Sequence, residues 1–567
     1  MNNRVIRDYI ASLKEDKELD AIFPLLLSAM GFRIVSTPVS SKGQSQYGKD
    51  VIAWGKAKDG KLYRWYFELK GNAAKDIDDR TFAIKDGVRD SILAAKDTTF
   101  EEPGVPFFNN LPVKICFVHN GILKENTRPQ YEGFINREFP DDGPMKYERW
   151  DIERLTEYFT KYLFDENLFC DEKSYKLLLK ALILMDAPGW TTGNVDRVID
   201  VQLDYCPLAK ASKRLVDKTF AALSLLMELV SKYAVENENL LPAKQTSERV
   251  VLKTWVWILK NNKEYTKRIL DLFNGLVLRH LSIYHSYIQK LIPLATSYKR
   301  LFQVGGGETE KVFYPMRCYD FLNDLLYYSI VVQAYNHDPQ IQKNHVEMIA
   351  DVIKNNSGFN IPLLDTNSIT LLMLLRFTDA NDKDGRLHKV VSNLIKDICF
   401  NVVLRHKDLK MWPELYGNRR SVAKSVYSKS EEYTDASSLF LMTLIEIVAW
   451  MDVDELYEFL RKEILESEVN LQVAFPVESD ELVVKLFEKR LYDEIAVETS
   501  IELPEKLSDL KKSFRKRYNH IALRTEKTPF YFLIFLAHIH YQTDMFPDFV
   551  DFGFLERLEN DSNSKGV

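Results

Sequence analysis

The sequence predicts two kinds of structure in series: an α/β domain over residues 1–168, then a large all-α region. Three observations lead there. At 567 residues the chain is too long for one compact domain, so two or three are expected. Apolar runs, turn signals and short helical patterns alternate through the first third. From about Leu208 onward apolar residues recur near every 3.6 positions, the spacing of one helix face.

The elements of the first part can be justified in order. "LDAIFPLLLSAMGFRIVST" reads as a helix, a Gly turn and a strand. Pro24 is well tolerated only in a first turn, which places the start of that helix near Phe23. "YGKDVIAWGKAKDGKLYRWYFELKG" holds two apolar runs on either side of Asp59-Gly60, the signature of a hairpin. "KDGVRDSILAAKD" is helical, and "PVKICFVHNG" is an apolar strand. A helix in "KENTRPQYEGFINREF", a strand in "KYERW" and a closing helix in "DIERLTEYFTKYL" follow. A further helix, "EKSYKLLLKALILMDA", stops at Pro188-Gly189, and "PGWTTGNVD" reads as a linker. The helical region divides into residues 169–365 and 366–567, or runs on as one, with no fixed repeat period.

The hairpin carries the candidate chemistry. Asp50 falls at the start of its first strand, and Glu68 and Lys70 fall at the end of its second. Residues two apart on a strand share a face, so Glu68 and Lys70 point the same way and Leu69 points into the core. Pairing across the hairpin brings Asp50 to the same end. Two carboxylates beside one ammonium suit a hard divalent cation with a fixed positive charge next to it.

These strings resemble the PD-(D/E)XK nuclease superfamily, its Mrr-like restriction-endonuclease branch in particular. "GKDVIA" matches the G-x-D element, "FELKG" matches the E-x-K element, and the element order over the first third agrees. The resemblance implies a restriction-endonuclease-like mixed sheet flanked by helices. It implies Mg²⁺, or Mn²⁺ in its place, held by Asp50, Glu68 and the carbonyl of Leu69, with Lys70 orienting the attacking water or stabilising the transition state. An acidic residue of the first helix often faces the metal in this family. Register from Gly31 gives Asp20 that position, with an N-cap as its other reading and Glu18 as a second choice. DNA is the implied substrate. By analogy with chains that join a nuclease to a helical module, the implied setting is a bacterial restriction or anti-phage system, with a partner ATPase or other defence subunit, or a second copy of the chain, as associate. A nuclease-fold binding scaffold, and a nuclease subunit silent until a partner binds, are the alternatives.

Other positions give weaker signals. Gln46, Tyr47 and Lys49 adjoin the site and read either as phosphate contacts or as a solvated strand start. His119 and Asn120 end a core strand, where Asn-Gly favours a turn. Lys511, Lys512, Arg515 and Arg517, interleaved with Phe514, read as a backbone-tracking patch or as a solvated helix face. The net charge of −6 confines any nucleic-acid contact to a local patch. Five scattered cysteines with no C-x-x-C argue against a zinc site or a disulfide framework and suit a reducing cytoplasm. The longest apolar runs, "FYFLIFLAHIHY" and "SLFLMTLIEIVAW", are too short to cross a bilayer and read as buried helices. No G-x-x-x-x-G-K-[ST] is present, so nucleotide energy would have to come from a partner.

Overall fold

The computed structural model describes residues 3–543 apart from 38–47, 72–74, 86, 103, 106, 164–171, 186, 188–189, 414–418, 429–436, 477–480, 492–494, 499–500 and 518–522. Two compact units emerge, Met1–Val250 and Val251–Val567.

The first unit is built on a five-stranded sheet in sequence order. Its strands are β1 (Arg33–Ser36), β2 (Val51–Lys56), β3 (Leu62–Lys70), β4 (Val113–His119) and β5 (Met145–Trp150). β1, β2 and β3 form an antiparallel meander, while β4 and β5 add in parallel, so the sheet is mixed. The β2–β3 turn works because Gly60 adopts φ +78 and Asp59 accepts from the Lys61 amide (3.0 Å) and the Tyr63 hydroxyl (2.8 Å). The parallel steps need crossovers. α3 (Asp79–Ala83) and α4 (Val88–Asp97) supply the first, and α5 (Arg128–Glu138) supplies the second. α3 opens with a reciprocal capping box between Asp78 and Thr81.

Alternation along β3 sorts its side chains onto two faces. Trp65, Phe67 and Leu69 go to one side, where α1 (Asn3–Ser12), α2 (Asp20–Ala29) and α6 (Ile152–Tyr162) belong. Phe23 of α2 packs edge-on against Phe67 (5.3 Å) and Trp150 (6.0 Å), and Tyr158 of α6 meets Trp150 at 4.8 Å. Asp151 starts α6 by accepting from the Arg154 amide. On the opposite face Ile52, Tyr66, Ile115 and Phe117 pack against Phe82, Ile92, Tyr131 and Phe134 of α3, α4 and α5. Burying each large aromatic here contributes roughly 2–3 kcal/mol. The unit continues into α7 (Glu172–Ile183), α8 (Gly193–Asp204) and α9 (Lys213–Glu236), the last opened by the Ser212 side chain accepting from the Leu215 amide.

One sequence expectation needs correction. The second helix begins at Asp20, ahead of Pro24, rather than near Phe23. A π-helical turn, Glu15–Leu19, precedes it directly, with the Leu19 amide bonded to the Lys14 carbonyl at 2.8 Å.

The second unit is largely helical, with long helices such as Lys267–Ala295, Glu310–Tyr335 and Arg386–Leu409. It is not purely α. Ser437–Ser438 pairs with Asn470–Leu471, and Val473–Pro476 pairs with Ile495–Glu498. The second of these pairs begins in a stretch that interrupts the helical spacing in the sequence. The two most apolar runs form buried helices, Leu439–Trp450 and Leu533–Tyr541. Among the described residues no helix is long and apolar enough to cross a membrane.

Candidate active site at the end of the central strand

The register of the hairpin decides what meets at the end of β3. Val51 pairs with Phe67, which sets Asp50 opposite Glu68. The Asp50 carboxylate accepts from the Leu69 amide at 2.7 Å. Glu68, only 3% exposed, takes the Lys70 ammonium at 2.8 Å. Lys70 also donates to the Leu69 carbonyl at 3.2 Å. Asp50, Glu68, Leu69 and Lys70 therefore come together at one strand end.

Gly48 lets the chain enter this corner. Its φ is +70, and a Cβ there would lie 2.2 Å from the Ser91 carbonyl oxygen of α4.

The electrostatics follow from burial and like charge. Burial, and then the neighbouring Glu68 carboxylate, push the Asp50 carboxyl well above the usual carboxylate range, and the Leu69 amide and Lys70 only partly offset them. Burial works against the Lys70 charge, yet Glu68 and Glu15 outweigh it and hold its pKa above the ordinary lysine value. Two carboxylates crowded out of water resist being charged together, so Asp50 holds its proton to higher pH; an added cation would favour the doubly ionised form.

Glu15 was not singled out from the sequence. It comes from the π-helical turn, and its carboxylate meets Lys70 at 3.3 Å and the Gly71 amide at 3.2 Å. Asp20 stands five residues later, as the first residue of α2, and the contacts of Lys70 run to Glu15 instead. Glu18 lies in the same turn but binds the Lys14 amide and Lys218. The sequence shows a run of acids before Pro24, Glu15, Asp16, Glu18 and Asp20, but nothing in it singles out Glu15 from the others.

Lys49 is buried, at 6% exposure. Its ammonium lies against the Thr98 hydroxyl and 5.1 Å over the Tyr66 ring, and burial lowers its pKa to about 8. It faces the interior rather than solvent. Gln46 lies outside the described residues.

His119 pairs with Lys70 across β3 and β4 and is fully buried. Its Nδ1 meets the Lys75 carbonyl at 2.8 Å, and burial lowers its pKa to about 4. Asn120 caps α1 from a distance, donating to the carbonyls of Ile10 and Leu13.

The basic stretch belongs to the second unit, on the helix Leu507–Arg517. Lys511 pairs with Asp452, and Lys512 pairs with Asp509 at 2.9 Å. Arg515 and Arg517 lie on the same helix, and their side chains are outside the described residues.

No family model, curated protein or solved structure matches this chain.

Among the described residues, no group of three or more His, Cys, Asp or Glu side chains is arranged to hold a metal. Asp50, Glu68 and the Leu69 carbonyl offer oxygen donors only, which suits a hard cation that retains several waters. Lys70 lies on both Glu68 and the Leu69 carbonyl, so a cation held there would share these oxygens with the ammonium. In donor chemistry alone, these oxygens are the type that Mg²⁺ or Mn²⁺ takes.

Proposed function

We propose that the chain is a metal-dependent endonuclease of the PD-(D/E)XK kind, hydrolysing phosphodiester bonds of DNA. The observation that carries this reading is the meeting of Asp50, Glu68 and Lys70 at the end of β3, with Asp50 and Glu68 crowded together. The helix–meander–helix–strand–helix–strand order, with β4 and β5 parallel to β3, supports a restriction-endonuclease-like arrangement.

In this reading Asp50, Glu68 and the Leu69 carbonyl bind Mg²⁺, with Mn²⁺ as a substitute. When bound, the cation supplies Lewis acidity toward a phosphate oxygen and lowers the pKa of a water. Lys70 orients the attacking water and stabilises negative charge that grows on the phosphate. Glu68 and Glu15 keep Lys70 protonated for that role. The helical region recognises the target or holds the activity in check, and a restriction or anti-phage setting in the cytoplasm follows by analogy.

One observation favours the second reading, a nuclease-fold binding scaffold or a subunit silent until a partner ATPase or other defence protein binds. The site partners are satisfied by one another: Asp50 by the Leu69 amide, and Glu68 by Lys70.

The test is a cleavage assay on supercoiled plasmid, linear duplex, single-stranded DNA and RNA, with Mg²⁺, Mn²⁺ or EDTA. Wild type and the Asp50→Ala and Lys70→Ala variants are compared. Metal-dependent cutting lost in both variants supports the nuclease. Absence of cutting by folded wild type, alone and with added partner proteins, leaves the scaffold.

A further inference from the structure

The segment that delivers Glu15 is held in place from three distant parts of the chain. The last carbonyls of a helix have no partners within it. At the end of α1 and just past it, Asn120 Nδ2 donates to the carbonyls of Ile10 (2.7 Å) and Leu13 (2.9 Å), Lys75 Nζ donates to Ala11 (2.9 Å), and Arg214 Nη2 donates to Ser12 (3.2 Å). The π-helical turn follows at once. Glu18 closes it: Oε2 accepts from the Lys14 amide at 2.7 Å, and Oε1 takes the Lys218 ammonium. The side chains of Lys218 and Glu18 are 24% and 17% exposed. A charge pair withdrawn this far from water is screened less than a surface pair and fixes geometry more firmly.

Glu15 opens the same turn. Its two oxygens reach Lys70 Nζ and the Gly71 amide. The fit is close enough to demand a glycine, because a Cβ on Gly71 would lie 2.8 Å from the Glu15 nitrogen. Arg214 and Lys218 both come from α9, four residues apart and so on one face of that helix.

We propose that Arg214 and Lys218 are positioning residues for Lys70, acting through the Glu15 turn. They touch neither substrate nor metal. They fix the turn that presents the Glu15 carboxylate to Lys70, so a displacement of α9 is felt at the end of β3. The site then requires residues some way beyond the sheet. The effect on cutting rests on the nuclease reading, whereas the positional linkage does not.

Hydrogen–deuterium exchange on the full-length chain tests it. In an Arg214→Ala/Lys218→Ala variant, peptides covering 13–20 and 69–71 exchange about tenfold faster or more, while the β4 peptide covering 113–119 keeps wild-type protection. Lys218→Glu gives the same pattern, whereas Lys218→Arg, which keeps a cationic donor for Glu18 and lets Glu18 go on accepting from the Lys14 amide, keeps wild-type protection. In the double-alanine variant kcat for DNA falls about tenfold with KM within about twofold, the split expected when a group that acts in the transition state is misplaced. Unchanged exchange at 13–20 and 69–71 overturns the linkage, as does faster exchange throughout the sheet, or a Lys218→Arg variant as deprotected as Lys218→Glu. An unchanged kcat despite faster local exchange overturns the role at Lys70. Local deprotection in a protein whose wild type cuts nothing, alone or with added partner proteins, keeps the linkage and sinks the nuclease.

Discussion

The two units bury carboxylates differently. In the second unit Asp365, Glu264, Glu310 and Glu463 are each set against donors with no second acid crowding them in the contacts described. Asp365, fully buried, accepts from the Ser438 hydroxyl (2.6 Å) and from the Leu439 (2.6 Å) and Phe440 (3.1 Å) amides, at the start of the helix Leu439–Trp450. Glu264 takes Arg524, Glu310 takes Arg317, and Glu463 takes His406 and Lys407. In the first unit Asp50 and Glu68 also have donors, the Leu69 amide and Lys70, but they are crowded against each other as well, and burial together with that crowding displaces the Asp50 titration upward. A buried acid that is matched holds a scaffold together. Two that are crowded mark a place where stability has been given up for another purpose.

The sharpest way to break this contrast is Lys70→Ala. Under the nuclease reading, cutting falls by ~10³-fold or more while the far-UV circular dichroism is unchanged, because Lys70 sits at a strand end. Activity within about tenfold of wild type removes the mechanism.

Acid comes next. His119 in the first unit and His345 and His538 in the second each have their pKa lowered to about 4 by burial. An unfolded histidine titrates near ~6.5. The folded value is the lower one, so the unfolded chain binds more protons between the two. The stability these groups contribute is complete above about pH 6.5 and is lost as pH falls toward 4. Denaturant melts at pH 7.5 and 4.5 should differ by several kcal/mol. A midpoint that does not move would mean the three rings are not held neutral.

Asp365→Ala probes the matched case. It strands two amides and a hydroxyl at a buried helix start, and a loss of about 2–4 kcal/mol is expected in denaturant melts. A loss under about 0.5 kcal/mol, the level of a surface change, would dissolve the contrast from the scaffold side.

The crowded case gives the smallest effect, with the opposite sign. Asp50 has its folded pKa raised, so its contribution is complete below the unfolded value and is lost as pH rises through the folded one. Asp50→Asn removes the charge and can keep an acceptor for the Leu69 amide. In EDTA it should stabilise the protein by roughly 1–3 kcal/mol at pH 8 and leave stability at pH 4 unchanged. Destabilisation at pH 8 would show that Asp50 is a structural acid like Asp365.

Much of the first unit was legible in the sequence because its cues are local. Asp59-Gly60 sets the hairpin, strand alternation sets the faces of Trp65 through Lys70, and Asp151 starts α6. Glu15 was hidden because a π-helical turn shifts the register ahead of Pro24, so that counting back from Gly31 lands on Asp20 instead. Lys49 was misjudged as a surface group because it lies in an irregular entry to β2, where no period tells inside from outside. The role of Asn120 depends on partners more than a hundred residues away, which no local pattern encodes. The short strands of the second unit hid because two or four residues are too few to show a period.

The reach of α9 back to the Glu15 turn has a consequence for how the molecule is made. The hairpin with Asp50, Glu68 and Lys70 leaves the ribosome early, and its pairing is local. Arg214 and Lys218 follow roughly 150 residues later, on the order of ten to thirty seconds at ordinary elongation rates. Throughout that interval the nascent chain carries Asp50, Glu68 and Lys70 without the α9 contacts to the Glu15 turn. Under the nuclease reading, the last piece to join the corner is thus a helix that contributes no atom to the chemistry, and a half-made chain would cut more slowly than a finished one.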